Sequence, residues 1–201
     1  MRSVSAVDVP DVSHPADARQ RLLDVALALI ARHGFAGTSL QMIADDLGVT
    51  KAAIYYHFRT RDQLLIGLVE PMLYQIRQFV EEAEKRRTPR MQMNAMVEGY
   101  AVAVARNRSL AAVLVFDPSV HRVLQHQPTW GSLIARQLKL LTQLDDGPRG
   151  VIKATALMTG LAGAATGAPA ETDEQSLTAE LSEIGRHMMG LRQPRQPRGA
   201  A

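Results

Sequence analysis

The chain has 201 residues, 46% of them hydrophobic and 21% charged, which is enough to bury a core and excludes disorder over most of its length. It contains no cysteine, so disulfide staples, thiolate metal sites and cysteine nucleophiles are excluded, and the composition suits a reducing cytoplasm. A net charge of +3 is too small for a polycation, so a nucleic-acid partner must be argued from where the charge sits.

Residues 1–14 lack the basic start and apolar run of a secretory signal and read as a mobile arm. From there hydrophobic spacing is helical almost throughout, and no alternating stretch is long enough to propose a strand. The expected fold is therefore all-α. A first helix is predicted from Pro15 to His33, with Leu22, Ala26, Leu29 and Ile30 on one face and Gly34 as its left-handed cap. Thr38 and Gln41 have the spacing of a capping box, which starts a short helix near Leu40 whose buried stripe is Leu40, Ile43, Ala44 and Leu47. Gly48 ends that helix, and Thr50 caps the next, Lys51 to Phe58.

A long helix is predicted from Arg61 to Arg87, kinked at Pro71 because its ring removes a backbone bond and crowds the preceding turn. Further helices are expected to begin at Pro89, Ser109, Pro118, Thr129, Pro148 and Asp173. The longest uncharged stretch, Ala154 to Ala170, is mostly Ala, Gly and Thr and reads as a packed helix, so no membrane partner is expected. Residues 192–201 are rich in Pro, Arg and Gln and read as an unfolded basic tail.

Two short helices joined by Gly48-Val49-Thr50 have the layout of a helix-turn-helix over residues 39–58. At about 100° per residue, Ile54 and Phe58 point inward and Ala52, Ala53 and Tyr56 outward, with Lys51 and Tyr55 on the flank. Small alanines let the backbone enter a groove and meet thymine methyls, while Tyr, Lys and His57 offer donors to phosphates or base edges. Between Asp46 and Asp62 there is no acidic residue, and Lys51, Arg59 and Arg61 fall there. The competing reading is a small three-helix core whose exposed alanines and tyrosines pack on another domain; the basic flank argues against it.

The run from Thr38 to Phe58, TSLQMIADDLGVTKAAIYYHF, with His33-Gly34-Phe35 before it and Arg61-Asp62-Gln63-Leu64-Leu65 after it, resembles the TetR family. The resemblance covers about Pro15 to Glu70. It implies a homodimeric regulator whose N-terminal helix-turn-helix domain, residues 15–60, binds a palindromic double-stranded DNA operator. A helical C-terminal domain, residues 61–191, would dimerise and hold a small apolar effector. By position in the motif, Thr50, Lys51, Ala52, Ala53, Tyr55, Tyr56 and His57 match the operator-contacting stretch. Thr38 and Ser39 match the phosphate-contacting cap, and Arg61 stands where a basic residue often touches the backbone.

Beyond Glu70 only pattern is available. Met72, Met91, Met93, Met96, Tyr100, Phe116 and Trp130 supply flexible and aromatic surface for a ligand cavity, although such a stripe is also ordinary core. Gly160, Gly163, Ala164 and Gly167 form a bare helix face, and Leu177, Leu181, Ile184 and Met188 an apolar stripe; together they suit a symmetric four-helix dimer interface. His121 and His126 are misspaced for a helical metal pair, so neither metal nor cofactor is expected. Asp145-Asp146 reads as a helix cap and not a catalytic pair, and no nucleophile elbow or phosphate loop appears, so an enzyme is disfavoured. The expected mechanism is a repressor whose ligand changes the spacing of the two reading helices, with the Pro71 helix as lever. A DNA binder with a filled core, under protein control or none, and an activator are the rivals.

Overall fold

The computed structural model describes residues 15–145 and 147–191; the expected N-terminal arm and basic tail lie outside them. Ten helices follow in order: α1 Pro15–Gly37, α2 Leu40–Leu47, α3 Lys51–His57, α4 Arg61–Glu84, α5 Pro89–Arg106, α6 Arg108–Phe116, α7 Pro118–Leu124, α8 Pro128–Thr142, α9 Pro148–Gly167 and α10 Glu174–Met188. Among the described residues there is no strand, and no helix is long and apolar enough to cross a membrane.

The helix starts are encoded locally. Ser39, Thr50, Thr60, Thr88, Asp117 and Asp173 each accept a backbone N–H at the start of the helix they precede, supplying partners to donors the helix itself cannot satisfy. Proline occupies the first turn of α5, α7, α8 and α9, where its missing N–H costs nothing.

Several boundaries depart from the sequence expectation for identifiable reasons. The cap of α2 is Ser39, whose Oγ accepts from Met42 N at 3.1 Å; Thr38 is buried and its hydroxyl donates to Gly34 O. Gln41 pairs with Asp45 instead of closing a capping box. Gly34 takes φ 71 and ψ 162, yet a further turn carries α1 on to Gly37. The long fourth helix ends at Glu84, three residues early, because the Gln92 amide takes the carbonyls of Glu84 and Arg86. It passes through Pro71 as a single helix. Asp145 pairs with Lys153, and the residue before α9 is Gly147, with no side-chain cap; Asp146 lies outside the described residues.

Helices α1, α2 and α3 pack in sequence on one another, and the start of α4 closes the group. Ile30, Ile43, Ile54, Leu64 and Leu65 are the largest of their fully buried side chains. Phe58, at the end of α3, pins that helix to α4: a β-carbon on Gly67 would lie 2.8 Å from the Phe58 ring, and the Arg19 guanidinium covers the ring at 5.2 Å. Helix α5 is the spine of the remainder and packs against α4, α6, α8, α9 and α10. Gly185 lets α10 approach it closely, since a β-carbon there would come within 2.7 Å of Val97. Helix α1 also touches α6 and α7 and so joins the two groups.

Candidate nucleic-acid interface

Gly48 adopts φ 66, the left-handed region, and nothing lies within 4 Å of where its β-carbon would be. Glycine is therefore wanted for conformation and not for space. Its N–H donates to Asp45 O, and that of Val49 reaches back to Ala44 O at 3.0 Å, which closes α2 and redirects the chain into α3. Thr50 Oγ1 then accepts from Ala53 N at 3.3 Å.

Helix α3 has two unlike faces. Ile54 and, just past its end, Phe58 are buried, while Lys51, Ala52, Ala53, Tyr55 and Tyr56 are exposed and His57 is half-buried. Tyr56 is 85% exposed, an unusual cost for an aromatic ring unless a partner covers it. The rings of Tyr56 and His57 meet edge to face at 5.2 Å, and Lys51 Nζ stands 5.6 Å from the Tyr55 ring. The helix thus presents a low alanine floor edged by aromatic, hydroxyl and cationic groups, with exposed Arg59 beyond it. Such a face can enter a major groove and offer donors to phosphates and base edges.

Thr38 and Arg61 are placed otherwise than expected. The Thr38 side chain is buried, with its proton given to Gly34 O, so Ser39 is the more accessible of the pair. Arg61 remains exposed, but its Nη1 donates to the carbonyls of Phe35, Ala36 and Thr38 at 3.3, 2.9 and 3.0 Å, and its guanidinium stands over the Phe35 ring. It acts first as a cap on the C-terminal carbonyls of α1, where a cation is electrostatically favoured.

Within the second group of helices lies a cavity of about 230 Å3 bounded by α4, α5, α6, α7, α8 and α9. Of the seven residues expected there, Met72, Tyr100 and Trp130 line it, and Met93 is buried in the core away from it. Met96 is buried elsewhere in the core, Met91 is exposed at the start of α5, and Phe116 is exposed and lies against α9, 3.5 Å from the β-carbon position of Gly163. The walls are mostly apolar, with His121, Gln137, Thr155 and Thr159 as polar members. Burial pushes the Tyr100 phenol up, so it stays protonated, and its hydroxyl donates to Met158 O at 3.0 Å.

The expected dimer stripe divides. Leu177 and Leu181 are buried inside the chain, whereas Ile184 and Met188 are exposed. On α9, Gly160, Ala164 and Gly167 are exposed and Gly163 half-exposed, and the face extends back through Ile152, which is 68% exposed. The Met188 methyl lies 3.8 Å from the β-carbon position of Gly160, so the two exposed faces form one apolar surface.

Residues 22–68 match the family model described as bacterial regulatory proteins, tetR family. Over those residues the chain is similar to the TetR family. Among its relatives, the Escherichia coli K12 protein named "Probable acrEF/envCD operon repressor" is 34% identical over 101 residues, 48% of this chain and 46% of the relative. The chain thus spans about half the length of the curated relatives it first matches. The structure of the ketosteroid transcriptional regulator KstR2 of Mycobacterium tuberculosis superposes with a TM-score of 0.65 at 15% identity, covering 94% of this chain and 97% of that one. The regulator FadR from Bacillus subtilis in complex with stearoyl-CoA gives 0.56 at 16% identity, covering 86% and 98%. These two show the fold: an N-terminal helix-turn-helix followed by a helical C-terminal domain.

The sequence reading missed Gln137 and His121 as cavity residues. A signal for Gln137 existed. Trp130, Ile134, Gln137 and Leu138 stand at i, i+4, i+7 and i+8 of α8, so one amide interrupts an otherwise apolar stripe, and all four line the cavity.

Proposed function

We propose that the chain is a transcriptional repressor that binds a palindromic operator as a homodimer and is released when a small, largely apolar molecule fills the cavity. The observation that carries the DNA-binding part is the outward face of α3, with Tyr56 almost fully exposed beside Ala52, Ala53 and Lys51. No folding requirement explains that face, and a groove-reading helix does. Residues 39–58 form the reading motif within a DNA-binding domain of residues 15–60, and residues 61–191 the regulatory and dimerisation domain. Its partner in solution is a second copy of the chain. The exposed apolar surface of α9 and α10 supports this, because a patch of that kind is normally covered and a two-fold operator needs two reading heads about 34 to 36 Å apart. A regulator of this kind works in the cytoplasm. The name of the Escherichia coli relative supports repression, and the stearoyl-CoA complex of FadR supports small-molecule control.

Selection of bound sequences from random duplex DNA tests the reading without assuming a target. Enrichment of a palindrome is the expected result. No enrichment by folded protein at low salt would end the claim that this helix-turn-helix reads sequence by itself.

A further inference from the structure

The cavity is walled on one side and open on the other. Met72, Ile76, Tyr100 and Leu114 line it as buried side chains, whereas Thr155 of α9 and His121 of α7 line it and are exposed, and Thr159 is half-buried. Its mouth therefore lies between α7 and α9. The Thr159 hydroxyl donates to Thr155 O at 2.9 Å, and His121 Nε2 lies 2.6 Å from Leu114 O, so both side chains of the rim are held in place by backbone carbonyls of the chain itself.

The mouth opens onto the apolar face of α9. Ile152, Thr155, Thr159 and Gly163 stand at i, i+3, i+7 and i+11 of that helix and so share one side of it. From Val151 to Gly167 no exposed residue of α9 is charged, and the single lysine in that span, Lys153, is half-buried and paired with Asp145. Phe116 lies against Gly163 and is 57% exposed, which extends the same surface onto the end of α6. An uncharged face of this kind is normally covered.

The distribution of bulk along α9 identifies the cover. Its first half exposes the branched side chains of Val151 and Ile152, and its second half exposes Gly160, Ala164 and Gly167 beside half-buried Gly163. Two copies of this helix laid antiparallel about a two-fold axis set the bulky half of each on the bare half of the other, the self-complementarity that an isologous contact requires. Thr155 and Thr159 fall between the two halves, close to such an axis. Resting on the homodimer reading above, we propose that the cavity is completed by the second copy: the partner's α9 closes the mouth at Thr155 and Thr159, and an effector inside is enclosed by two chains. The dimer contact is then part of the effector site, so that occupancy and the fit of the two copies bias each other.

The test uses the full chain and two reporters. Trp130 is the only tryptophan and lines the cavity, so its emission reports access to the interior. The chain has no cysteine, so Thr155→Cys carries a single thiol at the mouth. Sedimentation identifies monomer and dimer across a dilution series, with Ile152→Glu as a second route to the monomer. On dimerisation, acrylamide quenching of Trp130 is expected to fall severalfold. The thiol of Thr155→Cys should react with an aromatic disulfide reagent at least about tenfold more slowly, because reaction must wait for the contact to open. A dimer in which either reporter remains freely accessible overturns the proposal and leaves the homodimer standing. A chain that sediments as a monomer at every concentration overturns both this proposal and the homodimer reading beneath it.

Discussion

Asp117 Oδ2 accepts a hydrogen bond from the backbone N–H of Phe35 at 2.7 Å, across 82 residues of sequence. Its Oδ1 takes the N–H and hydroxyl of Ser119 and so caps α7, the helix whose His121 lines the cavity. Phe35 begins the last turn of α1, which Arg61 grips from the side of α4. The corner that leads into the helix-turn-helix is therefore held between the cavity wall and the reading domain. Asp117→Ala removes a cap and leaves the Phe35 N–H short of a partner, at an expected cost of about 1 to 3 kcal/mol in denaturant unfolding. Operator affinity should survive, but its loss on adding effector should shrink. Unchanged release in this variant would show that the signal travels elsewhere, for instance through α4.

The same carboxyl sets a pH dependence. Partial burial pushes its pKa up, but hydrogen bonds from the Ser119 side chain and from the backbone of Phe35, Ser119 and Val120 outweigh that and hold it below the usual range. A folded-state pKa below the unfolded value of about 3.9 means that the stabilisation is fully present above that value and is lost as pH falls through the folded pKa. Melting temperature should therefore drop below about pH 4 more steeply in wild type than in Asp117→Asn. Parallel curves would assign the acid sensitivity to Glu84, Asp145 and Asp173, whose carboxyls are also lowered.

Tyr56→Ala removes a ring that makes no contribution to the core, so the unfolding free energy should change by no more than about 0.5 kcal/mol. Specific operator binding, followed by fluorescence anisotropy, should be lost. Wild-type affinity in this variant would take Tyr56 out of the reading surface.

Lys51→Ala distinguishes two roles for one cation. If Lys51 meets a phosphate, the slope of log affinity against log salt should shrink by about one, with sequence preference unchanged. Contact with a base edge would instead cost roughly 1 to 3 kcal/mol of discrimination at one operator position.

Ile152→Glu places a charge on the apolar face of α9, where the isolated chain has room for it. Sedimentation should show the dimer giving way to monomer, with helical content retained and operator affinity lost along with the second reading head. A variant that remains dimeric would place the interface off this end of α9.

Much of this molecule was legible before its structure, because the signals are local. A glycine at positive φ, a hydroxyl one residue before a helix, and a proline in a first turn act on the backbone within a few residues of themselves, so α2, the Gly48 turn and α3 could be placed from sequence, together with the outward direction of Ala52, Ala53 and Tyr56. Helical periodicity likewise shows which residues share a face, but not which of two faces meets the interior. Tertiary packing decided that on α10, turning Leu177 and Leu181 inward and leaving Ile184 and Met188 outside. It decided that Thr38 is buried and Arg61 occupied, that Phe116 faces outward, and that Gln137 is enclosed in the cavity. Those facts depend on residues far apart in the chain, as with Asp117 and Phe35, and a carbonyl or guanidinium carries no mark in the sequence of the distant group it will meet.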